Sequence, residues 1–316
     1  MNRIDLWKPE EYSYPLAFGF MPNLRTYLHE DEEIRPAMIV APGGGYAVVV
    51  STEGEIVAKK FQSFGYNAFV LTYTTNPLTM EPLMDQPLRD ISRAVRYVRA
   101  HAEELHIDPN RVVICGFSAA GHLCASLCVH YQDVAEDPLY PGISNRPDAA
   151  ILSYPVITGG EKAHRGSFDC LIRRNPSPEL LQYWSLETQV TPETTPCFLW
   201  QTATDELVPV ENSYLFAEAL KENSVPFAHH VFSEGHHGLS LADEDWAEGR
   251  HGEPYPMEQM QKTLEAVRSG KIEVPEEVRQ MFSNDWSMDW NEEPHEEVRI
   301  WPELAKTWLN SILGKE

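Results

Sequence analysis

Basic residues are scarce in this chain, and long apolar runs are absent. Among 316 residues, Lys and Arg number 25 against 48 Asp and Glu, which gives a formal net charge of −23. Such a surplus of negative charge repels phosphate backbones and anionic membrane surfaces. No run of about 18 uninterrupted apolar residues occurs, and residues 1–10 lack the apolar core of a secretory signal peptide. We therefore expect no nucleic acid and no membrane as partners, and a soluble, cytoplasmic protein.

Cysteine is also rare, since the chain has five, an odd number without a regular spacing. This usage suits free thiols in a reducing compartment better than a disulfide framework. Cys124 and Cys128 lie one helical turn apart, which would suit a metal pair, but no further ligands cluster with them. We interpret them as small buried hydrophobic residues and expect neither a metal nor a cofactor.

The chain is long enough for one large α/β domain, with 316 residues and a hydrophobic content of 42%. From about residue 37 onward, strand-like and helix-like segments alternate, which is typical of a parallel sheet covered by helices on both faces. The predicted strands are 38–41, 67–73, 111–115, 149–154, 197–202 and 227–232, and the longer helices are 87–106, 210–223 and 301–313. Two segments interrupt this alternation. We predict both to be insertions, 156–196 as a lid or cap and 242–294 as an acidic segment that contains tryptophans.

Ser118 is the candidate nucleophile. It lies in Gly116-Phe117-Ser118-Ala119-Ala120-Gly121, which follows the apolar run 111–115 and opens an Ala- and Leu-rich stretch. A strand that turns sharply into a helix at this point would hold the hydroxyl above a sheet edge, beside a helix N-terminus. A serine nucleophile also needs a base, an acid that orients the base, and donors for the oxyanion.

His237 is the candidate base because it follows the strand 227–232 and has glycines close by on both sides, which free the backbone to bring its imidazole to Ser118. The adjacent His236 is the rival for this role. A metal site built from His229, His230, His236 and His237 is a third interpretation. Alternation along a strand would, however, send His229 and His230 to opposite faces.

Asp205 is the candidate acid, since it lies just beyond the strand 197–202 and could accept the second imidazole N–H. Glu206 is the neighbouring alternative, and a plain turn or helix N-cap role for Asp205 is another. The order Ser118, Asp205, His237 along the chain is the order found in α/β-hydrolases.

The oxyanion donors are predicted to be backbone N–H groups. One belongs to Ala119, directly after the nucleophile, and another to Gly44 or Gly45, in a glycine run where no Cβ obstructs the substrate carbonyl. A phosphate-binding loop is the competing interpretation of this run. It fails because neither a following Gly-Lys-Ser/Thr nor the Gly-x-Gly-x-x-Gly spacing is present.

Taken together, five segments of this sequence resemble the α/β-hydrolase esterases of the acetyl xylan esterase or xylanase-associated type. The segments are Pro42 to Tyr46, Glu53 to Ala58, Gly116 to Leu123, Asp205 to Ser213 and Gly235 to Leu239. The resemblance spans about 37–241 plus the closing helix. It implies a single α/β-hydrolase domain over 1–316, with a mostly parallel central sheet, that hydrolyses short acyl esters, notably acetyl groups on plant-polysaccharide sugars, without a cofactor. Two departures are Ala120, where the family's pentapeptide usually has Gly, and the length of 242–294.

Aromatic side chains could supply flat apolar faces for a pyranose ring, so we expect a small-molecule ester, an acetylated sugar, as the partner. The alternative is that these rings anchor the insertions to the domain. Other functions left open are an arylformamidase or aminopeptidase-type hydrolase on the same fold, and a catalytically silent carbohydrate-binding protein; the sequence makes no prediction of oligomeric state. The candidate rings are Tyr46, Trp184, Trp246, Trp286 and Trp290.

Overall fold

The computed structural model describes residues 1–283 and 290–314 and contains one eight-stranded sheet in the order β1-β2-β4-β3-β5-β6-β7-β8. Strands β3 to β8 pair in parallel, which confirms the predicted mostly parallel sheet. β1 and β2 are antiparallel strands that were not predicted from the sequence; β1 lies at the edge of the sheet, and β2 lies between β1 and β4. The strands are β1 (Arg3–Asp5), β2 (Asn23–Tyr27), β3 (Arg35–Ala41), β4 (Asn67–Thr72), β5 (Ile107–Phe117), β6 (Ala149–Ser153), β7 (Cys197–Thr202) and β8 (Phe227–Phe232).

Helices follow most of the parallel strands, as the alternating pattern predicts. The predicted helix 87–106 is too long, because the chain leaves the helix after Ala100 and forms successive turns until β5 begins. The α-helices are α1 (Glu55–Ser63), α2 (Gln86–Ala100), α3 (Ser118–His130), α4 (Arg165–Ile172), α5 (Pro178–Tyr183), α6 (Glu211–Glu222), α7 (Glu244–Ala247), α8 (Glu258–Arg268), α9 (Glu276–Ser283) and α10 (Trp301–Ile312).

The sheet separates two apolar cores, because successive side chains of a strand point to opposite faces. Ile39 and Ile114 pack with α2, α3 and α6 on one face. Met38 and Val113 pack with α1 and α10 on the other. Burial on both faces explains why these strands are continuous apolar runs rather than alternating ones. All five cysteines are buried in the structure, and none of them forms a disulfide.

The two segments predicted as insertions contain helices of their own. Segment 156–196 carries α4 and α5, and segment 242–294 carries α7, α8 and α9. The ends of the second segment lie together, since the amide of His295 donates to the carbonyl of Ala242 at 2.9 Å. Among residues 1–283 and 290–314, no helix has the length and apolar character needed to cross a bilayer.

Candidate active site

A sharp turn between β5 and α3 carries Ser118, whose φ of +53° lies in the left-handed region that non-glycine residues rarely adopt. The glycines beside it allow the close packing that this turn requires. A Cβ on Gly116 would lie 2.1 Å from the carbonyl oxygen of Ala120, and one on Gly121 would lie 2.7 Å from a proline side chain. The methyl group of Ala120 is itself accommodated in the apolar core, so the departure from the usual glycine leaves the turn intact.

Three distant side chains meet at this turn. The Nε2 atom of His237 lies 2.7 Å from the Oγ of Ser118, and its Nδ1 lies 2.7 Å from the Oδ2 of Asp205. An ionised carboxylate only accepts hydrogen bonds, so the Nδ1–H group donates a hydrogen bond to Asp205, and Nε2 accepts one from the Ser118 hydroxyl. The imidazole is therefore held in the tautomer that can take a proton from the serine.

Asp205 is held in place by hydrogen bonds from the backbone, in addition to its contact with the imidazole. Its Oδ1 accepts from the backbone amides of Leu207 at 3.0 Å and Val208 at 2.9 Å, in the loop after β7. Its side chain is 1% exposed, against 12% for that of His237. Asp205 therefore has both functions considered above: it stabilises the turn after β7 and it contacts His237.

The rival side chains point elsewhere. His236 lies outside the cluster, with its Nε2 3.0 Å from a carboxylate oxygen of Glu292, and Glu206 is exposed. His229 bonds the hydroxyl of Ser213 at 3.1 Å instead of joining the other histidines. Within the part of the chain that the structure describes, no group of three or more His, Cys, Asp or Glu side chains could hold a metal ion.

The glycine run after β3 lies against the nucleophile turn. Gly44 and Gly45 have φ values of +125° and +65°, and a Cβ on Gly44 would lie 2.3 Å from the carbonyl oxygen of Val48. Both glycines line the same pocket as Ser118. Ala119 follows the serine in the first turn of α3, where backbone N–H groups have no partner within the helix.

The pocket above Ser118 has a volume of about 460 Å³ and two walls of different origin. We call the residues in loops after parallel strands the inner wall: Gly44, Gly45, Ser118, His237 and Gly238. We call the residues of segment 242–294 the outer wall: Trp246, Met257, Trp290 and Glu292. Trp246 borders the pocket, but its side chain is itself buried at 0% exposure and packs edge-on against Trp290, as expected of a ring that anchors the segment.

Tyr46 and Trp184 do not line the pocket, and their prediction as substrate-binding rings is wrong. Both are buried in the apolar core, at 1% and 3% exposure. His122 joins them, with Nε2 donating to the carbonyl of Trp184 at 2.9 Å and Nδ1 accepting from the Tyr46 hydroxyl at 2.9 Å. Burial lowers the pKa of His122 to about 4, although its bond to Trp184 acts in the other direction. Trp286 lies outside the described residues.

Glu53 and His164 are among the pocket-lining residues that were not predicted from the sequence. His164 comes from segment 156–196, and its Nδ1 lies 2.8 Å from the hydroxyl of Ser167. Burial, followed by the proximity of His237, lowers the pKa of His164. No motif marks His164 in the sequence, whereas Glu53 stands in a segment that carries the family resemblance and for which no role was assigned.

A parallel sheet that ends in a strand-serine-helix turn, with an aspartate and a histidine following later strands, defines the class of the protein as an α/β-hydrolase. Comparison with known proteins gives the same class. The model of the family described as BD-FAE matches residues 24–146. The chain belongs to this family, and the resemblance read from the sequence is confirmed.

The relatives include proteins named as a xylanase and as esterases. The chain is 51% identical over 266 residues to endo-1,4-beta-xylanase B of Butyrivibrio fibrisolvens, covering 84% of this chain and 42% of the relative. It is 30% identical over 213 residues to the acetylxylan esterase of Xylanibacter ruminicola, covering 65% of this chain and 41% of the relative. Among solved structures, the acetyl ester-xyloside bifunctional hydrolase of Caldicellulosiruptor lactoaceticus has a TM-score of 0.71 and 40% identity, covering 79% of this chain and 94% of that one. The chain spans about two fifths of the length of these two curated relatives.

Proposed function

We propose that this protein is a serine carboxylesterase that removes short acyl groups, in particular acetyl groups, from the hydroxyls of plant-cell-wall sugars or oligosaccharides. The observation that carries this proposal is the chain of two 2.7 Å contacts from Ser118 through His237 to Asp205. A base aligned on a serine that is itself held in a strained turn is the arrangement that nucleophilic acyl transfer needs.

The first half of the reaction acylates Ser118. As its oxygen bonds to the ester carbonyl carbon, His237 Nε2 takes the hydroxyl proton, and Asp205 stabilises the imidazolium. The carbonyl oxygen becomes an oxyanion, for which the N–H groups of Ala119 and of Gly44 or Gly45 are the donors. The intermediate collapses when the bond to the sugar oxygen breaks, and His237 returns the proton to that oxygen.

The second half releases the acyl group. Water gives one proton to His237 Nε2 while its oxygen attacks the acyl carbon, and the same donors hold the second oxyanion. The bond to Ser118 then breaks, and its oxygen recovers the proton from His237. Acetate leaves and the enzyme is regenerated, with one ester and one water consumed and one alcohol and one acid formed.

The outer wall supports a sugar as the leaving group. Trp290, which packs against the buried Trp246, contributes an aromatic face, and Glu292 contributes a carboxylate that can accept from sugar hydroxyls. Trp290 is oriented by its indole N–H, which donates to the carbonyls of Trp246 and Ala247 at 2.9 and 3.1 Å. Two relatives whose names refer to xylan or its acetyl esters agree with this substrate class.

Labelling with a fluorophosphonate tests the nucleophile. We expect wild type to be modified at Ser118, whereas Ser118→Ala is not labelled and releases no acetate from acetylated xylo-oligosaccharides. Ser51→Ala is the matched control because Ser51 lines the same pocket, and it should retain labelling. Wild-type protein that is not labelled would support the silent carbohydrate-binding alternative. Faster turnover of formylkynurenine or aminoacyl-p-nitroanilides than of p-nitrophenyl acetate would favour the formamidase or aminopeptidase alternative.

A further inference from the structure

Glu53 is a buried acidic residue for which the reaction described above has no use. It ends a short 3₁₀ helix of residues 51–53 ahead of α1 and is 3% exposed. Burial raises the pKa of its carboxyl, while hydrogen bonds from Tyr154 and Gly43 and the proximity of His237 act in the other direction. Burying a carboxyl is costly unless its oxygens are satisfied, so its contacts show what it holds.

One oxygen of Glu53 holds the glycine run. Its Oε2 accepts from the backbone N–H of Gly43 at 2.7 Å. Gly43 in turn touches the nucleophile turn, because a Cβ placed on it would lie 2.6 Å from the carbonyl oxygen of Phe117 and 2.9 Å from the Cβ of Ser118. The carboxyl therefore fixes the residue from which the chain continues to the proposed oxyanion donors.

The other oxygen of Glu53 reaches the histidine loop through Tyr154. Its Oε1 accepts from the Tyr154 hydroxyl at 2.7 Å, and the same hydroxyl oxygen accepts from the amide of Ser240 at 3.1 Å, three residues after His237. The Tyr154 ring meets the His237 imidazole edge-on, with ring centroids 4.9 Å apart. Tyr154 and Ser240 have φ values of +37° and +50°, so these contacts maintain two strained residues beside the imidazole.

We propose that Glu53 is a positioning residue for the proposed esterase reaction, because it sets the glycine run and the His237 loop at a fixed distance from each other. A single carboxylate accepts from a donor on each side of Ser118, so a shift of one loop is transmitted to the other. This inference rests on the proposed function, since it assigns Glu53 a role in placing the oxyanion donors and the base of that reaction.

The change Glu53→Gln is suited to a test because it keeps the volume and removes one acceptor. Gly43 and Tyr154 both donate to Glu53, whereas an amide offers one acceptor oxygen and one NH₂ donor, so one of the two donors faces the NH₂ group and loses its acceptor. Glu55→Gln is the matched control. Its carboxylate bonds Lys59 and the amide of Glu253, away from Ser118.

The experiment compares kcat and KM for p-nitrophenyl acetate, thermal unfolding, and the affinity for a trifluoromethyl ketone, which forms an oxyanion on Ser118. For Glu53→Gln we expect kcat and the ketone affinity to fall together, by about 10- to 100-fold, with KM changed less than about threefold. For Glu55→Gln, kcat, KM and the ketone affinity should each stay within about twofold of the wild-type values. A role in stability alone would lower the unfolding temperature without this parallel loss.

If the wild-type protein is active and Glu53→Gln has the same kcat as Glu55→Gln, the role of Glu53 is overturned and the proposed function stands. Absence of esterase activity and of Ser118 labelling in wild type would overturn both. If Glu53→Gln does not fold, Tyr154→Phe carries the test, since it removes the second contact and leaves the bond to Gly43. We expect it to lower kcat about tenfold. Unchanged turnover in a folded Tyr154→Phe protein would contradict the proposal.

Discussion

The inner and outer walls of the pocket differ in how they are held. On the inner side, Asp205 and Ser118 are buried, at 7% exposure each, and their contacts cross between loops that are far apart in sequence. On the outer side, the side chain of Glu292 is 31% exposed, and its partner His236 is 55% exposed. The inner wall is thus fixed by the sheet, while the outer wall lies on a segment that the sheet does not define.

This difference separates the chemistry from the choice of substrate. Acyl transfer tolerates little displacement of the reacting groups, so it is placed on loops that end buried strands. Recognition of a leaving group tolerates more variation, since open polar and aromatic surfaces can accommodate different alcohols. We therefore expect changes to the inner wall to lower kcat for every ester, and changes to the outer wall to act on KM for sugar esters.

The largest effect is expected from the nucleophile and the base. Ser118→Ala and His237→Ala should each lower kcat at least ~10³-fold with p-nitrophenyl acetate and with acetylated xylo-oligosaccharides, because each interrupts the same proton transfer. The double variant should be little worse than either single one. Steady-state kinetics measure kcat for the two single variants and the double variant. A loss in the double variant equal to the product of the two single losses would contradict a unit of cooperating residues.

Asp205→Asn should lower kcat by on the order of 10²- to 10⁴-fold, because an amide in place of the carboxylate no longer holds the imidazole in the productive tautomer. Glu206→Gln is the control, since Glu206 is the exposed neighbour. Thermal unfolding should show both variants folded. Equal activity of the two variants would remove Asp205 from the inner wall's chemistry.

The sequence predicts the inner wall better than the outer wall for a physical reason. The glycines around Ser118 and Gly44 are required by close approaches that a Cβ would not permit, and Gly45 has a φ of +65° that favours glycine, so the local sequence carries the geometry. The positions of Asp205 and His237 follow because parallel strands end at one edge of a sheet. The antiparallel strands β1 and β2 were missed because strands of 3 and 5 residues have little apolar periodicity.

The aromatic residues show where this reasoning stops. Tyr46, Trp184 and Trp246 have the same apolar character in the sequence, and all three are buried, although Trp246 borders the pocket. The backbone conformation at Tyr46 and the packing around His122 decide the matter, and neither leaves a local signal. His164 and Glu53 were missed because their roles depend on contacts with loops distant in sequence.

The stability of the protein at acid pH is expected to depend on His122. The pKa of His122, under the inner wall, is lowered from 6.5 to about 4 by burial. Between these values the unfolded chain binds a proton that the folded chain does not, so stability falls as pH decreases from 6.5 towards 4, by about 3 kcal/mol for this group. Denaturant unfolding at pH 7 and pH 4.5 should show a smaller pH difference for His122→Gln than for wild type. The same pH difference in wild type and His122→Gln would contradict this account.

The smallest effect is expected at the outer wall. Glu292→Gln should raise KM for acetylated xylo-oligosaccharides about three- to tenfold, because an exposed carboxylate that accepts from sugar hydroxyls contributes roughly 1 kcal/mol. It should leave kcat and KM for p-nitrophenyl acetate within about twofold, because that ester has no sugar hydroxyls to bind. Glu293→Gln, one residue further and also exposed, is the control for the loss of charge. Equal changes for both substrates would mean that the outer wall acts on the reacting groups, and the division between the two walls would be wrong.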